Sequence, residues 1–246
     1  MITIGLLSYY RQEMCINVLR KNLENTGSNE FELMITDQGT RDLNFLNCLN
    51  SFKPKYFRCN LFNEGVSRSL NQMMIRRNFP HFFFMPNDIL LPKDWLKNLI
   101  HYVNLIPNSG IVGFEGQDLI LPERTINGIT VRSEPNKDIK EGCQVYGATL
   151  FTKNLIDEIG FFDENFGVYA FEDQDYCFRA QEAGFVNYYI PNMISSHIGL
   201  EDEKDDYKKH KFDHSLKNVG YFRWKIRNYK KVGIYTPAPI LREEFI

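Results

Sequence analysis

The sequence predicts an α/β domain, a mainly parallel sheet flanked by helices, with a basic helical tail behind it. Three observations carry this. From Ile2 to Phe114 short apolar runs alternate with stretches of helical periodicity, the pattern of parallel β-α-β units under helical cover. The run His81–Met85 holds three consecutive phenylalanines, the mark of a strand covered on both faces. The charge is also lopsided. Lys204 to Lys231 holds ten Lys/Arg against three Asp, a local +7, while the other residues sum to −9.

In order along the chain, Ile2–Leu7 is an apolar strand, and Glu13–Leu23 repeats apolar positions at helical spacing. Phe31–Ile35 is a second strand, closed by the turn cluster Asp37–Thr40. A short helix runs through Leu43, Leu46 and Leu49; Lys55–Leu61 is a third strand and Val66–Ile75 a helix. After His81–Met85, Leu91–Pro92 opens a helix with Trp95, Leu96 and Leu99 along one side, and Gly110–Phe114 is a fifth strand. Residues 115–150 break the rhythm with Gly, Pro and short alternating segments, the pattern of hairpins or loops beside the sheet. Helical patterning resumes at Lys153–Ile159 and Glu172–Ala183, each followed by glycine. Phe185–Ile190 is strand-like, followed by a turn at Pro191–Asn192 and then His197.

The 246 residues are 43% hydrophobic and 24% charged, which excludes wholesale disorder and fibrous classes. Five scattered cysteines, Cys143 among them, form no C-x-x-C pair, so a reducing intracellular compartment, the cytoplasm, is expected. No apolar run approaches a membrane span, and the start has no basic leader, so the fold is expected to begin at once. Neither G-x-G-x-x-G nor a P-loop is present, which removes dehydrogenase and P-loop readings.

In open parallel sheets ligands bind beyond the carboxyl ends of the strands. Three such ends carry polar clusters: Ser8–Arg11, Asp37–Thr40 and Asn87–Asp88. Ser8, Asp37 and Asp88 are therefore expected to converge on one cleft. Asp88 follows an apolar strand directly, and a carboxylate there suits a hard divalent cation holding diphosphate oxygens. The second cluster is Glu172, Asp173 and Asp175. Acids in a first helical turn favour the helix dipole; in a cleft they also supply a general base and acceptor contacts.

Taken in order, these segments resemble family 2 of the GT-A glycosyltransferases over roughly residues 1–200. The matching pieces are Ile2–Arg11, Asp37–Asp42, Asn63–Asn71, Pro86–Asp88 with Trp95, Ile159–Glu164, Glu172–Asp175 with Arg179 and Gly184, and His197. The resemblance implies a GT-A nucleotide-sugar-binding and catalytic domain over 1–200 and a basic aromatic extension, 201–246, packing on it. It implies that Leu7, Ser8, Tyr10, Asp37, Arg68 and Asn87 bind the nucleotide-sugar donor. Asp88 and His197 would hold Mn²⁺ or Mg²⁺, and Asp173 would be the catalytic base of an inverting transfer. Glu172, Asp175 and Trp95 would lie on the acceptor side. Two positions depart from the family pattern: Pro86 stands where the first Asp of D-x-D would be, and Tyr10 where Asn is frequent.

Residues 204–231 interleave their bases with Tyr207, Phe212, Tyr221, Phe222, Trp224 and Tyr229. Three readings stand: a solvated helix packing its aromatics on the core, a helix on an anionic membrane surface, or contacts to nucleic acid. The build also resembles small bacteriophage glycosyltransferases that modify hydroxymethylated pyrimidines in DNA; a glycan or lipid-linked acceptor stands beside that reading. A nucleotidyltransferase is disfavoured because Leu6–Tyr10 is not Gly-rich. A non-catalytic sugar-nucleotide or glycan-binding module would need no Glu172–Asp173 pair.

Overall fold

The computed structural model describes residues 1–28, 30–116, 123–126, 128–132, 145–198 and 205–232. The first half runs β1 (Ile2–Ser8), α1 (Gln12–Glu24), β2 (Phe31–Asp37), α2 (Leu43–Ser51), β3 (Tyr56–Cys59) and α3 (Val66–Arg76). Next come β4 (His81–Pro86), β5 (Ile89–Leu90), α4 (Trp95–Leu105), β6 (Ser109–Gly116), β7 (Glu123–Ile126) and β8 (Ile129–Arg132). The chain continues with β9 (Thr149–Phe151), α5 (Lys153–Ile159), α6 (Glu172–Glu182), β10 (Val186–His197) and α7 (Asp205–Val232).

The strands form one sheet in the order β3-β2-β1-β4-β9-β6-β10-β8-β7, and β5 pairs with β10 off that path. β1 to β4 pair in parallel, as do β6 and β10. β9 is antiparallel to both β4 and β6, so the sheet is mixed. The sequence gives no sign of that reversal, because three buried residues carry no period of their own. The β7–β8 hairpin matches the hairpin reading of the segment after Glu115.

Alternation along the strands divides the core. Ile2, Ile4, Leu6, Phe83 and Met85 pack under α1, α2 and α4, while Phe82 packs with Met73, Leu155 and Tyr176 under α3, α5 and α6. The triple phenylalanine is covered on both faces, as its run predicts. Gly5 is required where β1 passes β4, since a Cβ there would lie 2.4 Å from the Phe82 ring.

Two boundaries differ from the sequence reading. The helix expected from Leu91 starts at Trp95, because Asp94 takes a left-handed φ of 59°. Pro191–Asn192 is a slip inside β10 rather than a turn ending a strand. The register shifts between Ile190 and Ile194, and the Asn192 N–H donates to Glu115 Oε2 at 2.8 Å. The slip lets β10 run on to β5, with His197 opposite Ile89.

α7 packs Phe222 and Ile226 against Phe166 and Phe178. Its outer face exposes Phe212, Leu216 and Trp224 together with Lys208, Lys209, Lys217, Arg223 and Arg227. Cys143 and Lys204 lie outside the described residues, as do the side chains of Tyr207 and Tyr229. Among the described residues no helix is long and apolar enough to cross a membrane.

Candidate active site

The carboxyl ends of β1, β2 and β4 meet at one edge of the sheet, where a cleft of about 130 Å³ opens. Leu7, Tyr9, Gln38, Phe84, Pro86 and Asn87 line it from the strand ends. Asn63 and Val66 line it from around the start of α3, Val168 and Tyr169 from the loop before α6, and Lys211 from α7.

Behind this lining, Ser8 Oγ–H donates to Asp37 Oδ2 at 3.0 Å, and Asp37 Oδ1 accepts the Thr40 N–H at 2.7 Å. Both side chains are fully buried, a polar frame next in sequence to the lining residues Leu7 and Gln38 rather than part of the lining itself. Gln38 ties that frame to the next wall. Its Nε2 donates to Gly65 O and Ser69 Oγ, and its Oε1 accepts from Asn60 Nδ2 and the Glu64 N–H. Gly65, at φ 92°, sits so close to the opposite loop that a Cβ would fall 2.3 Å from Gly167 O. The two walls of the cleft therefore touch through backbone.

Asn87 Nδ2 donates to Tyr9 O at 2.8 Å and so joins the ends of β1 and β4. Tyr10 and Arg11 follow with left-handed φ of 57° and 52°. Such non-glycine residues are uncommon and concentrate at ligand-binding turns. Arg68 is not among the lining residues; its Nε lies 3.2 Å from Glu64 Oε2.

Asp88 and His197 are brought together. The β5–β10 pairing sets Asp88 Oδ2 at 3.1 Å from His197 Nε2, with Arg11 Nη1 at 3.6 Å on the same oxygen. Asn22 holds this corner. Fully buried on α1, it donates to Ile89 O, accepts the Leu91 N–H, and accepts the Trp95 indole N–H on its own carbonyl. The sequence signal was an asparagine in register with Val18 and Leu19 on the apolar face of a helix. A carboxylate beside an imidazole is a donor set that Mn²⁺ accepts, and two protein ligands leave positions for phosphate oxygens. Among the described residues no group of three or more His, Cys, Asp and Glu side chains gathers.

The second acidic cluster divides. Glu172 and Asp173 open α6 after two consecutive left-handed residues, Ala170 and Phe171, at φ 76° and 71°. Burial, reinforced by the neighbouring Asp173, pushes the Glu172 carboxyl up to about 8. Burial also raises Asp173, whose Oδ1 accepts the Gln174 N–H. Asp175, expected on the acceptor side, has no exposed surface: Arg179 Nε lies at 2.9 Å and Lys225 Nζ at 2.6 Å from its oxygens. Trp95, expected there too, is wholly buried and stacks on Phe83 at 4.5 Å between centroids. These two side chains hold the core together and do not reach the cleft.

α7 clamps the loop ahead of Glu172. Lys225, fully buried, bridges Asp175 and Asp163, each at 2.6 Å. Burial works to raise Asp163, but the hydrogen bond and charge of Lys225 hold it below the ordinary carboxylate range. Asn218 Nδ2 donates to the carbonyls of Phe166, Tyr169 and Ala170 at 2.6, 2.6 and 2.9 Å. Nothing in the local sequence set Lys225 and Asn218 apart from the other polar residues of the tail.

No protein-family model and no curated protein matches the sequence. Solved structures do match in fold. S. aureus TarS 1–349 superposes with a TM-score of 0.57 at 15% identity, over 80% of this chain and 60% of that one. The same protein in complex with UDP-GlcNAc gives 0.57 at 15%, over 79% and 57%. GalNAc-T7 with UDP, GalNAc and Mn²⁺ gives 0.61 at 8%, over 80% and 43%. The chain has the GT-A fold and spans no more than about three-fifths of these structures' lengths.

Proposed function

We propose that this chain is an inverting, metal-assisted glycosyltransferase that moves a sugar from a nucleotide-diphosphate donor to an acceptor hydroxyl. The observation that carries the reading is the make-up of the cleft walls. Strand ends with Leu7, Pro86 and Asn87 lead straight to the Asp88–His197 pair, and Val168–Tyr169 lead into the Glu172–Asp173 pair. The likeness to structures bound to UDP-GlcNAc and to UDP with Mn²⁺ supports the donor class.

In this reading Asp173 accepts the acceptor's hydroxyl proton as that oxygen bonds to the anomeric carbon. The bond from that carbon to the diphosphate breaks on the far side, and its electron pair leaves with the nucleotide. A carboxylate raised by burial is a stronger base for this step than an exposed one. Glu172, protonated near neutral pH, keeps a second negative charge away from Asp173. Asp88 and His197 would hold the divalent cation, which when bound stabilises charge on the departing diphosphate. Ser8 and Asp37 keep the strand ends beside the cleft rigid, and Tyr10 and Arg68 would approach the donor from beyond its lining.

For the acceptor we propose a hydroxymethylated pyrimidine in DNA, modified in the cytoplasm. The exposed face of α7 supports this: five bases stand on it with Phe212 and Trp224, suited to phosphates and to an unstacked base. A thermal-shift screen of nucleotide sugars with Mn²⁺ tests the donor reading, because a ligand bound only by the native state raises its melting temperature. Labelled donor offered to hydroxymethylated DNA, unmodified DNA, glycans and anionic vesicles tests the acceptor. Transfer to a glycan or lipid alone overturns DNA and keeps the enzyme. Donor binding with no transfer to any acceptor favours a binding module.

A further inference from the structure

We infer that Lys211, on the first half of α7, binds the diphosphate of the donor. The inference rests on the donor reading of the cleft and adds to it a residue from the C-terminal helix. Of the described residues that line the cleft, Lys211 is the one with a charged side chain; the rest are apolar, amide or phenolic. Its ammonium lies 5.4 Å from the centroid of the Tyr169 ring, itself part of the cleft wall, a distance at which a cation is drawn to an aromatic face. Its neighbours Lys208 and Lys209 are exposed, whereas Lys211 is half-buried. The same helix thus presents its bases to two different surroundings.

The charge arithmetic favours an anion at this position. A nucleoside diphosphate brings two or more negative charges into the cleft. Pro86 lines the cleft where an acid would repel them. Amide and phenol dipoles cannot neutralise them, and a partly desolvated ammonium interacts more strongly than one in bulk water. Lys211 belongs to a different element from Asp88 and His197, so it can meet the diphosphate with or without a metal ion. The sequence alone grouped Lys211 with the other bases of the tail; its place in the cleft wall separates it.

The test is calorimetric titration of the full chain, its K211M variant and its K211R variant. The probes are UDP, GDP, CDP and ADP and their parent nucleosides, each with Mn²⁺ and with EDTA. A nucleoside diphosphate that binds the wild type should bind K211M about ten- to a hundredfold more weakly in both media, the size of one hydrogen bond to a charged group. The parent nucleoside should bind K211M unchanged, and K211R should recover most of the loss. Equal diphosphate affinity in wild type and K211M overturns the inference and leaves the donor reading intact. An equal loss for nucleoside and diphosphate also overturns it, since Lys211 would then only pack. If the wild type binds none of the probes in either medium, the donor reading falls and takes the inference with it.

Discussion

Asp88 and the Glu172–Asp173 pair follow different walls of one cleft, and their surroundings are opposite. Asp88 is partly exposed and faces the His197 imidazole at 3.1 Å and the Arg11 guanidinium at 3.6 Å. Glu172 is buried with Asp173 half-buried beside it, and the cation nearest in sequence, Arg179, is engaged elsewhere. Arg179 and Lys225 sit on Asp175, two residues beyond Asp173. A carboxylate beside a guanidinium and an imidazole suits a site for charge. Carboxyls raised by burial suit proton exchange above the usual carboxylate range. The sequence shows acids in both places; the partners that divide them come from distant elements.

The sharpest break of this comparison is D173N, which keeps size but cannot accept a proton. Transfer should fall about 10²–10⁴-fold while donor affinity, measured by titration, stays at its wild-type value. A near-normal rate would reduce Asp173 to a helix-terminal acid. Next in size is K225M. Removing the ammonium leaves Asp163 and Asp175 buried without their shared partner, and urea denaturation should show a loss of about 3–5 kcal/mol. Unchanged stability would mean that the clamp on the loop is not set by this ion network.

A smaller effect is expected at the other centre. D88N and H197A should each lower turnover with Mn²⁺ by about tenfold or more, and D88N should lose most of the wild type's sensitivity to EDTA. Full wild-type activity in EDTA would remove the cation from the comparison. The smallest effect is on the pH dependence of folding. Glu172 rises from its ordinary 4.5 to about 8 in the fold, so the native state holds a proton that the unfolded chain releases. Stability should therefore decline as pH rises from about 4.5 to about 8, and E172Q should flatten that limb. Asp163 is lowered, so its contribution is present above its ordinary 3.8 and is lost as pH falls through the lower folded value. K225M should flatten that acid limb.

Much of the strand-end side of the cleft was legible because its information is local. The apolar runs before Ser8, Asp37 and Asn87 placed these residues at strand ends, and the parallel pairing of β1, β2 and β4 gathers them at one edge. Asp88 and His197 were paired by resemblance, and the geometry brings them within 3.1 Å. What escaped depends on long-range partners. Trp95 was grouped with the cleft because of its order in the chain, yet its indole is the roof over Phe83. Asp175, expected on the acceptor side, is claimed by Lys225 from another helix. β9 and β5 are two or three residues long, too short to show a period, and β5 is what carries Asp88 to His197.

The grip of Asn218 on the loop before Glu172 also bears on the order in which the protein is made. The carbonyls it holds are 48 to 52 residues earlier in the chain. During synthesis, at about 5–20 residues per second, the strands β1 to β10 emerge first and can pair before α7 exists. Until then the loop with the left-handed step at Ala170 and Phe171 lacks the hydrogen bonds that Asn218 gives it. A nascent chain stalled ahead of Asn218 would carry the sheet and the Asp88 corner without a fixed Glu172–Asp173 pair. The setting of the Glu172–Asp173 pair would then follow the pairing of the sheet by seconds.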